Sequence, residues 1–433
     1  MKIALITSFP PSRHALNEYG FHVADQLRKE RGVDLTILGD YLPAPAPELP
    51  GFKVMRCWGF ERCGSATSLL RALWKLKPDV AWFNLGFASF GGRPLPALLG
   101  LAAPAAARIS GAYSHVTLHQ LFETVDLEDA QVSSPLLYRA GGWLATHLLL
   151  IANSISVLLP AYRHILNEKY RRGRVSARPH GIFAEKPEPP DFNRRGNPTH
   201  RILAFGKWGT YKRLDLLIAA FERVAASSSD LRLVIGGGNH PKARGYVESM
   251  AQRYQSPRIA FLGYVPEESI SDLFCGASLA VMPYTSSAGS SGVTHLAAQY
   301  AVPVLASDIK DFRELSSAER IAIRFFKPGD VNSLAEELAA LLGSPDELRK
   351  MAWRNYEAGL AMSMPSIVRE YIRSFRQLER IRILQLAARS RRAGQFRRTD
   401  RLDRVIGERI QSWSDEDEGW SPSTSGRAFD GLC

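Results

Sequence analysis

Short apolar stretches alternate with longer amphipathic ones along most of the chain. Five strand-like stretches come first: KIALITS, DLTILGD, DVAWFNLG, HVTLHQ and SISVLLP. Six more begin at Arg201: RILAFGKWG, LRLVIGGG, RIAFLGYV, ASLAVMPY, VPVLASD and RIAIRFF. Leu214, Leu217, Ile218 and Phe221 recur at i, i+3, i+4 and i+7, the spacing of one buried helix face. The alternation predicts two α/β domains with parallel strands and helical crossovers.

The division between these two domains is predicted from a change of composition. The stretch EKPEPPDFNRRGNPTHR is rich in proline and charge and is typical of a linker. A chain of 433 residues is also long enough for two or three units. We therefore expect an N-terminal domain over 1–184, a linker over 185–201 and a second domain over 202–364. A helix over 365–385 and a basic helical segment with a mobile tail over 386–433 would follow.

Composition indicates a globular protein of a reducing compartment. The chain is 45% hydrophobic and 23% charged, and its four cysteines are too few for a disulfide framework. The start, MKIALITSFPPS, lacks a secretory signal and favours a cytoplasmic location. The apolar stretches PLPALLGLAAPAAARIS and WLATHLLLIANSISVLLP are interrupted by polar residues and proline. They predict buried elements and no membrane span.

Positive charge is concentrated near the C-terminus. The net charge is +12, and Arg380 to Arg409 holds ten arginines against three acidic residues. A solvated helix is the first interpretation of such a segment, and a basic helix on an anionic membrane surface is the alternative. Phe396 is the one aromatic residue in it, which argues against nucleic acid. No cluster of histidine and cysteine has zinc spacing, and the acidic run at Asp415–Asp417 lies in the predicted tail, so no metal is expected.

Three loops after predicted strands carry candidate chemistry. In FGKWGTYKRLD, Lys207 and Lys212 lie near a helix start, where they would bind a phosphate or remain solvated. In SAGSSGVTHLAAQ, small residues precede an apolar run, which fits either a helix N-terminus open to an anion or an ordinary cap. His119 follows the strand-like HVTL, where it would be structural or catalytic.

Together with RPHGIF and AVPVLASD, these loops resemble the retaining GT-B glycosyltransferases, which use nucleotide sugars. The resemblance spans about residues 1–380 and is strongest over 178–308. It implies two Rossmann-like domains facing a cleft. It also implies metal-independent transfer of a hexose, with retained configuration, from a nucleotide-diphospho-sugar to a glycan or lipid-linked acceptor in polysaccharide biosynthesis, with no further cofactor. The enzyme would be cytoplasmic or peripheral on the inner face of a membrane.

The resemblance assigns roles to residues of this chain. Lys207 and Lys212 would contact the diphosphate, with Lys207 standing where the family usually has arginine, and His119 would lie over the donor sugar. These three are the candidate catalytic residues. The candidate donor-binding residues are Gly206, Tyr264, Val265, Ser290, Ser291, Gly292, Val293, Thr294 and His295. Tyr264 and Val265 would contact the base.

The chain departs from the family at two places. Family members commonly carry two glutamates eight positions apart, and here Ala288 and Leu296 occupy those positions. His295 would supply a replacement or lie on the helix surface. The glycine-rich loop after the first strand is also absent. SFPPSRHALNEYG offers Arg13, His14, Asn17 and Gly20, which we expect to bind the acceptor.

Two other classes of protein compete with the enzyme. The missing glutamates would also fit a non-catalytic GT-B scaffold that partners another transferase. A dinucleotide-dependent dehydrogenase would share the doubly wound sheet, but GGGNH after a strand does not match GxGxxG.

Overall fold

The structure, a computed structural model, describes residues 1–45, 47–124, 135–171, 175–193, 200–240, 243–286 and 290–392. The chain divides into two compact units, residues 1–369 and 370–433. The first unit holds two parallel sheets. In the second unit the described residues, 370–392, continue the helix Met364–Arg392 (α14). The finer boundaries at 184, 201 and 364 stay predictions, and most of the arginine segment lies outside the described residues.

The first sheet has seven parallel strands in the order β3-β2-β1-β4-β5-β6-β7. Its strands are Lys2–Ile6 (β1), Asp34–Asp40 (β2), Val54–Trp58 (β3), Val80–Leu85 (β4), Tyr113–Leu118 (β5), Ser154–Val157 (β6) and Val175–Ala177 (β7). Its helices are Asn17–Lys29 (α1), Ser65–Leu76 (α2), Pro94–Leu101 (α3), Ala103–Ile109 (α4), Pro135–Leu149 (α5) and Pro160–Tyr170 (α6). The sequence pattern predicted five of these strands and missed β3 and β7.

The second sheet has six parallel strands in the order β10-β9-β8-β11-β12-β13. Its strands are Arg201–Phe205 (β8), Arg232–Gly236 (β9), Ile259–Gly263 (β10), Leu279–Met282 (β11), Val304–Ser307 (β12) and Ile323–Phe326 (β13). Its helices are Leu214–Ala225 (α7), Tyr246–Arg253 (α8), Glu267–Cys275 (α9), Gly292–Gln299 (α10), Lys310–Glu319 (α11), Val331–Leu342 (α12) and Pro345–Ala361 (α13). All six predicted strands are confirmed.

Burial explains why the apolar stretches become inner strands. Every residue of β4, β5, β11 and β12 is buried, as expected when helices cover both faces of a parallel sheet. The four apolar positions predicted for one helix face all lie in α7 and are all buried. The predicted face of α7 therefore forms part of the hydrophobic core of the second domain.

The two membrane-like stretches form ordinary elements. The first contains α3 and α4, and the second contains the end of α5 and β6. Among the described residues, no helix is both long and apolar enough to cross a bilayer. The predicted burial is incomplete in both stretches: Leu95 and Ile109 in the first are 61% and 81% exposed, and Trp143 and Leu144 in the second are 51% and 42% exposed.

Each sheet reverses its strand order at one place. The order runs outward in both directions from the β1–β4 pair in the first sheet and from the β8–β11 pair in the second. The crossovers on the two sides of such a pair leave a crevice at the carboxyl ends of the strands. The loop after β8 carries Lys207 and Lys212 (the lysine loop), and the described end of the loop after β11 carries Ser290 and Ser291 (the small-residue loop), so the fold brings both to one crevice.

Candidate functional site

A cavity of about 590 Å³ lies at the carboxyl ends of β8 to β11. The start of α1 and the segment after β7 complete its wall. Nine of the predicted donor-site residues line it: Gly206, Lys207, Lys212, Tyr264, Val265, Ser290, Ser291, Gly292 and Val293. Thr294 and His295 are buried beneath it.

The loops after β8 and β9 are bonded together along the cavity wall. Gly206 N–H donates to Gly236 O (3.1 Å), Trp208 N–H to Gly238 O (2.8 Å) and His240 N–H to Trp208 O (2.6 Å). Gly237 has φ of 101°, and a Cβ there would lie 1.9 Å from Gly206 O. Only glycine permits both this conformation and this approach. The lysine loop is therefore fixed by its neighbour.

Lys212 is a half-buried cation with no anionic partner among the described residues. Its Nζ lies 4.6 Å from the ring centre of Tyr284 and within 6 Å of those of Trp208 and Tyr211. Burial, together with the nearby charge of Lys207, lowers the pKa of Lys212 to about 8. Aromatic faces stabilise an ammonium less than a carboxylate does, so this cation favours an anion in the cavity. Lys207 is exposed at the cavity rim.

The N-terminus of α10 opens into the same cavity. Ser291 is its N-cap residue, but the Ser291 side chain does not cap the helix. The Ser291 carbonyl accepts hydrogen bonds from Thr294 N–H, Thr294 Oγ1 and His295 Nδ1. Because a trans peptide points its carbonyl and the next N–H in opposite directions, Gly292 N–H points out of the helix. The first-turn N–H groups thus present partial positive charge to the cavity.

His295 is held under this helix end by a carboxylate. Its Nε2 lies 2.7 Å from Glu319 Oε2, and its Nδ1 lies 2.8 Å from Ser291 O. Both side chains are nearly fully buried. Burial alone would lower the pKa of His295, but the charge and hydrogen bond of Glu319 outweigh it and raise the pKa. Both ring nitrogens already have partners within the protein.

His119 follows β5, as predicted, and lies behind the cavity wall. Thr7 Oγ1 donates to Ser8 O and so accepts from Asn84 Nδ2, which turns Asn84 Oδ1 toward His119 Nε2 (2.6 Å). Burial lowers the pKa of His119 to about 3, so the ring is neutral. Tyr19, which lines the cavity, contacts the His119 ring edge-on at 4.6 Å.

The four predicted acceptor residues of the first domain have different environments. Asn17 lines the cavity, and its side chain donates to Ser12 O. His14 lies 2.7 Å from Asp40 and stacks on Phe60, and Arg13 is exposed. Gly20 is buried, and a Cβ there would lie 2.4 Å from Thr7 Oγ1, so this position packs against β1 and does not face the cavity. Asn17 is the one of the four that faces the cavity among the described residues.

Several cavity residues were not predicted. Tyr284 follows β11, and its hydroxyl is buried without a hydrogen bond among the described residues. His180 follows β7, and His22 Nε2 lies 3.4 Å from Glu267 Oε1 in the cavity wall. Tyr284 ends the strand-like ASLAVMPY and His180 lies in RPHGIF, so position after a strand was the signal that could have found them. Leu296 lines the cavity, and Ala288 lies outside the described residues.

Within the parts of the chain that the structure describes, no group of three or more histidine, cysteine or acidic side chains is placed to hold a metal ion. The cavity chemistry of these residues is that of an anion site. It combines an unpaired ammonium, open helix N–H groups and two close-packed glycine loops.

Comparison with known proteins shows which proteins this chain is similar to. Residues 199–344 match the family model described as "Glycosyl transferases group 1". Sucrose-phosphate synthase from Thermosynechococcus elongatus superposes with a TM-score of 0.68 at 17% identity, covering 88% of this chain and 99% of that one. No curated protein sequence matches the chain.

Two further structures are similar over most of the chain. HepE of Anabaena, in complex with UDP, has a TM-score of 0.62 at 14% identity and covers 87% of this chain and 99% of its own. WaaG, a glycosyltransferase involved in lipopolysaccharide biosynthesis, has a TM-score of 0.59 at 14% identity, with 85% and 98% covered. The fold is therefore GT-B, as predicted, and residues 199–344 are similar to the domain of group 1 glycosyltransferases.

Proposed function

We propose that the protein is a retaining, metal-independent glycosyltransferase. It would move a hexose from a nucleotide-diphospho-sugar to a hydroxyl of a glycan or lipid-linked acceptor. The observation that carries this proposal is the meeting of Lys212 and the N-terminus of α10 in one cavity. A diphosphate would pair with the ammonium and accept hydrogen bonds from the N–H groups.

A nucleotide sugar is the donor class that fits this cavity best. HepE structures hold UDP and UDP-glucose, and those ligands belong to that protein. In this chain the diphosphate would lie between Lys212 and Gly292. The sugar would lie toward His119 and the small-residue loop, and the base near Tyr264 and Val265.

The proposed mechanism needs few catalytic side chains. The nucleoside diphosphate leaves the anomeric carbon as the acceptor hydroxyl attacks from the same face, through an oxocarbenium-like transition state. Negative charge grows on the departing phosphate, where Lys212, Lys207 and the α10 N–H groups would stabilise it. That phosphate also takes the proton of the acceptor hydroxyl. Loss of the family's glutamates leaves this charge stabilisation intact.

The acceptor would enter from the first domain, with Asn17 the residue best placed to contact it. A lipid-linked acceptor, with the enzyme on the cytoplasmic face of a membrane, is favoured by the outward face of α5. That face carries Leu136, Trp143 and Leu144 and no carboxylate. The arginines of Arg380–Arg409 would add attraction to anionic lipid. Co-sedimentation with anionic vesicles, and weaker co-sedimentation with neutral ones, would support this placement.

The non-catalytic scaffold is the competing function. A scaffold would bind its partner transferase and release no nucleoside diphosphate of its own. Release of UDP or GDP from a nucleotide sugar by the purified chain, in the presence of acceptor, separates the two. The unpaired Lys212 favours the enzyme, because a protein that binds no anion gains nothing from a half-buried ammonium.

Calorimetric titration of UDP and GDP tests the donor site directly. We expect one nucleotide to bind the wild-type chain and to bind Lys212→Ala at least 10-fold more weakly, the scale of one charged hydrogen bond. Lys350→Ala removes an exposed lysine of α13 and is the matched control. Equal affinity in wild type and Lys212→Ala, or no binding of either nucleotide, contradicts the proposal.

A further inference from the structure

The sugar end of the cavity needs a group that accepts hydrogen bonds from hydroxyls. Leu296 cannot do so, and Glu267 in the cavity wall is paired with His22. Gln299 Oε1 already accepts from Phe183 N–H and Ala184 N–H. Glu18 lies exposed in the first turn of α1. These four cavity residues do not place a buried, open acceptor beside the small-residue loop.

His180 is a buried cavity residue with one open nitrogen. His180 is only 7% exposed, and it lines the cavity. Nδ1 lies 3.0 Å from Gly181 O. A carbonyl can only accept, so Nδ1 carries the hydrogen and Nε2 carries the lone pair of the neutral ring. Among the described residues Nε2 has no hydrogen-bond partner.

The neighbours of His180 keep its ring neutral. The His295 ring lies 4.7 Å away, centre to centre, and its nitrogens face Ser291 O and Glu319. With both nitrogens protonated, His295 is an imidazolium paired with the Glu319 carboxylate. A second positive charge at His180 would be buried and repelled. Burial and the His295 charge hold the pKa of His180 well below its ordinary value, and His119 and His22 act in the same direction.

We propose that His180 is a further donor-site residue, whose Nε2 accepts a hydrogen bond from a hydroxyl of the bound sugar. His295 and Glu319 are positioning residues that keep this nitrogen unprotonated. The assignment rests on the proposed function and deepens it. His295 bonds to the carbonyl of Ser291, and His180 is its ring neighbour. His180 therefore lies where the small-residue loop would hold the sugar. His180 would supply a hydrogen-bond acceptor for the sugar, which the side chain of Leu296 cannot provide.

The first test separates the sugar from the nucleotide. Dissociation constants are measured for UDP and GDP, and then for the corresponding glucose, galactose, mannose and N-acetylglucosamine derivatives. We expect His180→Ala to bind the nucleoside diphosphate within about 2-fold of wild type and to bind the preferred nucleotide sugar about 10-fold more weakly, the scale of one hydrogen bond. His180→Asn, whose amide oxygen also accepts, should recover most of that loss.

The controls make each outcome informative. His164→Ala removes an exposed histidine of α6 and should match wild type throughout. Thermal unfolding of every variant shows whether it is folded. If wild type binds neither nucleoside diphosphate, the proposed function fails. If it binds one, and His180→Ala weakens nucleotide and nucleotide sugar equally or weakens neither, the proposed function stands and the role of His180 is overturned. The same holds if no sugar adds affinity in wild type.

The second test addresses the positioning pair through pH. Tyr19, His22, His119 and His295 are the titratable groups that face His180. In Glu319→Gln the His295 ring loses its counter-charge and its pKa falls, so less repulsion opposes protonation of His180. As the pH is lowered, we expect the extra affinity due to the sugar to be lost at a higher pH in this variant than in wild type. Superimposable pH profiles would remove the positioning role.

Discussion

Polar groups are paired in the loop after β1 and left unpaired in the loops of the second domain that line the cavity. In the first domain, Asp40 accepts hydrogen bonds from Phe9 N–H, Ser12 Oγ and His14 Nδ1. These polar groups of the loop after β1 thus have hydrogen-bond partners within the first domain. In the second domain, Lys212 lacks an anionic partner among the described residues, and the hydroxyls of Tyr284 and Ser290 lack hydrogen bonds there. Polar groups that the fold leaves unpaired locate a ligand better than polar groups that pair with each other.

The largest effect is expected from Lys212. Lys212→Ala should lower kcat/KM for sugar transfer by about 100-fold, because one preorganised charge on the departing phosphate is lost. Lys207→Ala, which removes an exposed cation, should cost about 10-fold or less. Initial rates of nucleoside diphosphate release measure both. Equal losses in the two variants would erase the distinction between the buried and the exposed lysine.

Asp40 provides the opposite case at the loop after β1. Asp40→Ala leaves Phe9 N–H, Ser12 Oγ and His14 Nδ1 without their acceptor. It also removes one of the two carboxylates beside Arg56, the other being Glu48. We expect the free energy of unfolding to fall by about 2 kcal/mol, measured by urea denaturation. Nucleoside diphosphate affinity should remain within about 2-fold of wild type. A large loss of affinity in a folded Asp40→Ala protein would place the loop after β1 in the donor site.

The pH dependence of nucleotide binding reports on the charge of Lys212. Because the pKa of this lysine in the free protein is lowered to about 8, its ammonium is present at pH 7 and mostly lost at pH 9. Affinity for the nucleoside diphosphate should therefore fall by about 10-fold over that range. Lys212→Arg keeps its charge and should bind with little change between pH 7 and 9. Parallel curves for wild type and Lys212→Arg would exclude Lys212 as the titrating group.

The smallest effect concerns the stability of the empty protein. Lys212→Met replaces the ammonium by an apolar group of similar length and should raise the free energy of unfolding by about 1 kcal/mol. The gain should be complete below about pH 8, where folded Lys212 is charged, and should shrink as the pH rises toward 10.5, where the unfolded lysine also loses its proton. Urea denaturation at pH 7 and pH 10 measures it. A destabilised Lys212→Met protein would mean that the aromatic rings stabilise the ammonium after all.

Sequence patterns predicted the framework more completely than the site. Buried parallel strands are continuous apolar runs, so eleven of the thirteen were evident. Strand β7 has three residues, and β3 includes Arg56, so neither forms such a run. Lysines and small residues after β8 and β11 indicated the anion site, because position after a strand needs no side-chain geometry.

What the sequence did not indicate depends on the directions of side chains. His295 was a candidate contact because it follows the small-residue loop, yet its nitrogens bond to Ser291 and Glu319, which is 24 residues away. His180 has the open nitrogen, although its segment was noted only for its resemblance. Whether a histidine faces a ligand or a carboxylate is decided by tertiary packing, which local pattern does not contain.

The bonded loops after β8 and β9 have a thermodynamic consequence. A flexible phosphate loop must lose conformational entropy when its ligand arrives, and that loss is subtracted from the affinity. Here the hydrogen bonds of Gly206 and Trp208 to the neighbouring loop, and the contact at Gly237, have already ordered the backbone around Lys212. The conformational entropy of this loop was therefore lost when the sheet folded, before any ligand binds. Nucleotide binding should accordingly proceed with little ordering of this loop.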